Sequence, residues 1–284
     1  MLTSKSGLFA ATIFAGLCLS AAPALAETAE YNSVELDRAN ELVPIGDGSF
    51  LGEGNAFTVS GNVTLATQYR FRGVAMTGGD PAIQGGIDVV HSSGFYVGAW
   101  GSSLEGGAAY GELEMNFYGG WNGDISDAWS IDIGILQYNY PTDGGLIDPT
   151  DENSYVNDFN SNYWEPYASI STTLGPLEAT FGAAYAWKQS SLGGDDNLWL
   201  YTDLGVGIPD SPISLNAHLG YTDGVLAPPM IAGTNDDTGF DWAVGASLTL
   251  LGGLDLGVSY IGVEGPSIND FTDDALVASL SVSF

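Results

Sequence analysis

From Phe57 onward the hydrophobic period is two, and this feature restricts the fold more than any other. Phe57, Val59, Val63, Leu65, Tyr69 and Phe71 fall on one face, while Thr58, Ser60, Asn62, Thr64, Gln68, Arg70 and Arg72 fall on the other. Strict alternation of this length reads as a strand. It recurs over Ile83–Val89, Leu113–Trp121, Trp129–Ile135, Leu177–Trp187, Leu198–Ile208, Ile213–Leu219, Phe240–Leu248, Leu254–Tyr260 and Leu276–Phe284. Residues 95–104 and 162–174 alternate less cleanly. Twelve strands in 228 residues leave 19 for each strand with its connection. Membrane barrels have that rhythm, with strands of about 9–11 residues plus loops.

A soluble sandwich also alternates, but three features favour a barrel in lipid. The apolar faces carry no charged side chain. Connections differ by side: 91–94, 175–176, 209–212 and 251–253 are short, whereas 140–161, 223–239 and 262–274 are long. Outer-membrane barrels pair short periplasmic turns with long outer loops. The fit is imperfect, because 105–110 on the long side is shorter than 122–128 on the short side. Aromatic residues also gather at strand ends. Phe57, Trp121, Trp129 and Phe284 would mark a periplasmic girdle, and Tyr69, Phe71, Trp164, Trp187, Tyr221, Trp242 and Tyr260 an outer one. The expected fold is all-β: a transmembrane antiparallel β-barrel of about twelve strands. Pro166 resists the scheme, since it removes a ladder hydrogen bond. A bulge there, or a strand start near Ala168, is expected.

Composition narrows the function. There are 35 acidic and 5 basic residues, a formal charge of −30, which excludes a nucleic-acid partner. Aromatics at 12% exclude general disorder. One Cys permits no disulfide framework. Residues 1–26 read as a signal peptide, with Lys5, an apolar run from Leu8 to Leu19, and the cleavage motif Ala24-Leu25-Ala26. Cleavage leaves four basic residues against 35 acidic ones, a charge of −31, and removes Cys18. Residues 27–56 read as a periplasmic tail or plug, and 57–284 as the barrel. The expected location is the bacterial outer membrane, with its lipid as surroundings. Phe284 closes a period-two strand, which resembles the signal read by the β-barrel assembly machinery.

Residues 59–105 carry YRFRG (Tyr69 to Gly73), DPAIQGGID (Asp80 to Asp88) and SGFYVGAWGS (Ser93 to Ser102). The set resembles the TorF family, bacterial outer-membrane proteins described as porins. The resemblance implies a barrel and a porin, with no particular solute and no catalytic residue.

Parity turns Arg70, Arg72 and Lys188 toward the lumen near the outer mouth. Glu112, Glu114 and Glu165 reach the same height, and Asp88, Asp132, Glu178, Asp203 and Asp255 lie deeper. These eleven are the expected pore-lining residues. They fit either a charged constriction that sorts solutes or a salt-bridge network that holds the barrel's shape. The two histidines, His91 and His218, and the absence of a G-x-S-x-G elbow argue against an enzyme. Acidic loop clusters (Asp148, Asp151 and Glu152; Asp236 and Asp237; Asp273 and Asp274) could suit Ca²⁺. They lack a D-x-D-x-D-G loop, so solvated loops are the plainer reading and no metal or cofactor is expected. The expected function is passive passage of small hydrophilic solutes with weak cation preference. The alternative is a closed structural or surface-recognition barrel acting through its loops. Tyr96, Trp100, Tyr118, Trp199 and Tyr201 bear on that choice, because inward rings could fill the lumen.

Overall fold

A computed structural model describes residues 56–284 apart from 143–144, 149–150, 158–160 and 251–252, with the backbone alone at Ala108 and over 145–148 and 151–157. The expected signal peptide and nearly all of the 27–56 segment lie outside the described residues. The strands in chain order are β1 (Phe57–Ala66), β2 (Arg70–Phe71), β3 (Val74–Ala75), β4 (Ala82–His91), β5 (Phe95–Ser103), β6 (Leu113–Ser126), β7 (Trp129–Tyr138) and β8 (Gly145–Asp148). There follow β9 (Asp151–Asn157), β10 (Tyr163–Leu174), β11 (Leu177–Ala186), β12 (Asn197–Gly207), β13 (Ile213–Gly224), β14 (Thr238–Leu250), β15 (Leu254–Val263) and β16 (Ala275–Ser283).

Twelve of these close into one antiparallel barrel, in the order β1-β16-β15-β14-β13-β12-β11-β10-β7-β6-β5-β4 and back to β1. Closure pairs the first and last strands, with Val63 opposite Val282 and Leu65 opposite Leu280. No edge is left to expose backbone groups to lipid. No helix among the described residues is long and apolar enough to cross a membrane. The apolar face points outward: Leu65, Ile83, Ile87, Leu219, Val244 and Leu276 are all more than half exposed. A water-soluble chain would bury such a belt, so the exterior is a lipid-facing surface. Charged or titratable residues on this face stand at its borders, His91 at one end and Asp223 at the other.

The turns at one end are short, the longest spanning 208–212. β6 runs to Ser126, so its link to β7 shrinks to Asp127 and Ala128 and the anomaly at 122–128 disappears. The other end carries every long connection, including the hairpin β8–β9. By this asymmetry the short-turn end is periplasmic and the long-loop end faces outward, which gives an outer-membrane barrel. Aromatic rings border both ends. Phe57, Phe95, Trp129 and Phe284 are exposed at the periplasmic border, and Trp164, Tyr185, Trp187, Phe240 and Tyr260 at the outer one.

Three local expectations are corrected. β1 stops at Ala66 instead of continuing through Arg72. The chain then leaves the wall and folds inward as the small hairpin β2–β3, with Arg70 opposite Ala75 and Phe71 opposite Val74. Tyr69 and Phe71 are therefore not outer-girdle residues: Tyr69 is 0% exposed, and Phe71 packs edge-on against Tyr138. Pro166 neither bulges nor delays β10, and it pairs in register with Ile135 of β7. The β11 ladder begins one residue later, at Tyr167. The N–H of Trp164, two residues earlier and so on the same side, already bonds the Gln189 side chain. Pro166 thus faces its missing donor toward a gap where no ladder bond is lost.

Candidate functional site in the barrel interior

The inward face changes character along the barrel axis. On β13, Ser214 is exposed, Asn216 is half-buried, and His218, Gly220 and Thr222 are buried. On β14 the inward series Gly239, Asp241 and Ala243 is buried, Gly245 and Ser247 are half-buried, and Thr249 is exposed. β11 and β12 repeat the gradient. The inward face is thus exposed toward the periplasmic end, as a vestibule, and increasingly buried toward the outer end.

The infolded hairpin takes part in that packing, with Tyr69 and Phe71 set among rings of the wall strands. Its turn is Arg72-Gly73, with φ of 46° and 77°, the two positive values of a type I′ turn. Gly73 is required twice over, because a Cβ there would collide with Val263 and crowd the Gly262 carbonyl. Arg72 pays the conformational cost of a bulky residue at positive φ. Its Nη2 donates to both oxygens of Glu165 at 2.8 Å, and its guanidinium lies between the rings of Phe71 (4.7 Å) and Trp199 (4.6 Å). Arg70 is fixed to the outer loop. It donates to Asp273 Oδ1 at 3.0 Å, to the carbonyls of Asp273 and Gly73, and to Gln68 Oε1 at 2.8 Å. Tyr69 donates to Glu114, whose other oxygen accepts from Asn116. Tyr138 donates to Glu165 and stacks on Tyr163 at 4.4 Å.

Below the hairpin, tyrosines lie flat over glycines of the neighbouring strand. Tyr118 covers Gly98, Tyr96 covers Gly120, Tyr167 covers Gly134 and Tyr201 covers Gly182, each a direct cross-strand pair. A Cβ at any of these glycines would run into the ring above it. The hydroxyls end on carboxylates or on each other: Tyr118 on Asp88 at 2.7 Å, Tyr96 on Asp132 at 2.6 Å and on Tyr167. On the far wall His218 bridges Asp203 (2.6 Å) and Asp241 (2.7 Å), and Asp241 also accepts from Trp199 Nε1 at 3.1 Å.

The structure separates the eleven residues singled out in sequence into three groups. Arg70, Arg72, Glu114 and Glu165 are buried in the outer layer. Asp88, Asp132, Glu178, Asp203 and Asp255 point into the vestibule and are half-buried. Glu112 sits in the exposed turn before β6, and Lys188 on the exposed loop after β11, paired with Asp195 at 3.0 Å. That hydrogen bond to Asp195 holds the Lys188 ammonium above its usual pKa. These two do not face the lumen, because the strands that should carry them end first.

Sequence reasoning did not single out Asp241, Tyr138, Tyr163 or Tyr167. Parity put Asp241 on a polar face, yet only packing shows it fully buried against His218. Side chains of the Asp148, Asp151 and Glu152 cluster lie outside the described residues. Asp273 and Asp274 serve as acceptors for Arg70 and Tyr260. Among the described residues no three His, Cys, Asp or Glu are placed to hold a metal ion.

The barrel is similar in outline to solved outer-membrane proteins. The NanC porin aligns with a TM-score of 0.49 at 10% identity, over 80% of this chain and 98% of that one. The COG4313 outer-membrane channel from Pseudomonas putida F1 gives 0.44 at 12%, over 79% and 94%. LpxR from Salmonella typhimurium gives 0.42 at 9%, over 79% and 99%. At such values the likeness carries no argument about function. No curated protein matches the sequence. The family shown has a different name from the TorF porins that residues 59–105 resemble. Its model matches residues 52–284, and the chain belongs to this family, Gcw_chp, bacterial proteins of unknown function.

Proposed function

We propose that the protein is a porin passing small hydrophilic solutes, narrowed at its outer end by the hairpin and weakly selective for cations. One observation carries this reading. Among the described residues Arg70, Arg72 and Lys188 are all engaged by carboxylates outside the vestibule. Among the described residues Asp88, Asp132, Glu178 and Asp255 thus face the vestibule with no basic partner, and Asp203 has His218 alone. A network that served merely to brace the wall would neutralise those charges. An unneutralised acidic vestibule concentrates cations and repels anions. The two readings of the charged residues therefore divide by depth: bracing in the outer layer, selectivity in the vestibule. The TorF resemblance of residues 59–105 supports the same function.

The rival reading, a closed barrel acting through its loops, draws on the buried outer layer of Tyr69, Tyr138, Tyr140 and Tyr163. Conductance of the folded protein in a planar bilayer separates the two. Discrete steps in KCl are expected, and a silent bilayer at confirmed insertion would favour the closed barrel.

A further inference from the structure

On β13 the His218 ring lies between two carboxylates. Its Nδ1 stands 2.6 Å from Asp203 Oδ1 on β12, and its Nε2 stands 2.7 Å from Asp241 Oδ2 on β14. Asp241 accepts a further bond from Trp199 Nε1 through Oδ1, so both of its oxygens act as acceptors. A neutral imidazole carries one N–H and would turn a bare lone pair toward one of the two carboxylates. Two contacts of this length need a proton on each nitrogen, so the ring is an imidazolium.

The two carboxylates differ in their surroundings. The Asp241 side chain is 1% exposed and is also fixed by Trp199. The Asp203 side chain is 24% exposed and borders the vestibule, with the ring as its one basic partner among the described residues. When the ring loses a proton, its remaining N–H stays with the carboxylate that water cannot reach, because a buried carboxylate without a donor costs more than one that can turn to water. The proton therefore leaves Nδ1, and Asp203 loses its partner. Nothing nearby compensates. On the same inward face β13 presents Ser214, Asn216, Gly220 and Thr222, and β14 presents Ala243, Gly245 and Ser247. From β12, Trp199 and the Tyr201 phenol stack on the ring at 5.8 and 6.4 Å. The Arg72 guanidinium lies on the Trp199 ring and is engaged by Glu165.

We propose that His218 sets the charge of the vestibule: the imidazolium holds Asp203 to the wall, and loss of the Nδ1 proton releases Asp203 to the water as one more unpaired carboxylate beside Asp88, Asp132, Glu178 and Asp255. Cation preference then rises with pH. Imidazole is the side chain whose ordinary ionisation falls near neutral pH. The other histidine, His91, stands at the lipid-facing border, outside the lumen. The inference deepens the porin reading and rests on it for the effect on conduction, while the ring chemistry is measured without conduction.

The full-length protein, folded in detergent micelles with isotope-labelled histidine, is followed by nitrogen NMR through a pH titration. Reversal potential across a KCl gradient is measured over the same pH series, and His91→Gln assigns the two rings. At the acidic end both His218 nitrogens should show the shift of a protonated ring nitrogen. As pH rises, Nδ1 alone should lose it, and cation preference should step up at the same midpoint. His218→Gln should lose the step. Asp203→Asn, whose amide oxygen still accepts from Nδ1, should keep the ring titration and lose the step. If His218→Gln does not fold, Asp203→Asn decides. A single neutral tautomer throughout, loss of the proton from Nε2, or a ring that keeps both protons until the protein unfolds would overturn the proposal. So would a titrating ring with level selectivity, or a step that survives in Asp203→Asn. The expected ring titration in a protein that leaves the bilayer silent removes the porin reading and keeps the release of Asp203.

Discussion

Arg72 and Glu165 meet inside the barrel at 2.8 Å, one from the tip of an infolded hairpin and the other from β10, each 3% exposed. Ninety-three positions separate them in the chain. The pair ties the hairpin to the wall.

Glu165→Gln should therefore loosen the outer end. It leaves the Arg72 charge buried without its counter-charge, a loss of about 3–5 kcal/mol for a buried pair broken on one side. The temperature at which the folded band disappears on a heat-modifiability gel should fall. Mean conductance should rise as the hairpin gains freedom. Unchanged values for both would show that the hairpin is held by its apolar contacts instead.

The flat tyrosines predict a position-dependent penalty for adding a side chain to an inward glycine. Gly182→Val would drive a branched side chain into the Tyr201 ring and should destabilise by about 1–3 kcal/mol, as overpacking does. Gly207, on the same inner wall, has nothing within 4 Å of a built Cβ, so Gly207→Ala should lie within about 0.5 kcal/mol of wild type. Equal effects at the two sites, measured by denaturant titration in micelles, would argue against the packing described.

Selectivity should follow the vestibule. Reversal potential across a KCl gradient should show weak cation preference that grows as the salt is diluted, because the Debye length is about 8 Å at physiological ionic strength and lengthens on dilution. Replacing Asp88 and Asp132 by Asn and Glu178 by Gln should bring the preference close to zero. Arg70→Ala with Arg72→Ala exposes the charges of Asp273 and Glu165 and should shift it further toward cations. Anion preference in the wild type would remove the vestibule carboxylates from the account.

His218→Leu should destabilise the far wall. Asp241 is 0% exposed and would keep one described partner, Trp199 Nε1, after losing the imidazole. A cost of about 1–3 kcal/mol is expected for the unsatisfied group, and adding Asp241→Asn should recover part of it. A double variant no more stable than His218→Leu would show that the cost comes from lost packing against Trp199 and Tyr201.

The barrel itself was legible in the sequence because strand parity is a local property. Each strand's lipid face had to be apolar and its lumen face polar, so Leu200, Leu204, Tyr201 and Asp203 could be assigned sides without knowing their neighbours. The inward tyrosines and the half-buried acids follow from the same rule. The hairpin was not legible. Tyr69 to Arg72 resume the parity of β1 after the single interruption at Ala66 and Thr67, and parity alone does not distinguish a strand that stays in the wall from one that turns inward.

By itself the sequence determined twelve strands, their two faces and the ends at which their loops are long. Backbone pairing needs nothing beyond the period and the demand that no polar backbone meet lipid. Only the tertiary structure decided that the chain leaves the wall after Ala66. That choice depends on Gly73 fitting where a Cβ would strike Val263, on Asp273 receiving Arg70, and on Glu165 receiving Arg72. Those partners come from β15, the loop before β16, and β10, and they adjoin the hairpin once the barrel has closed. A buried charge is stable where its partner is within reach, and that condition is set by closure, not by any local pattern.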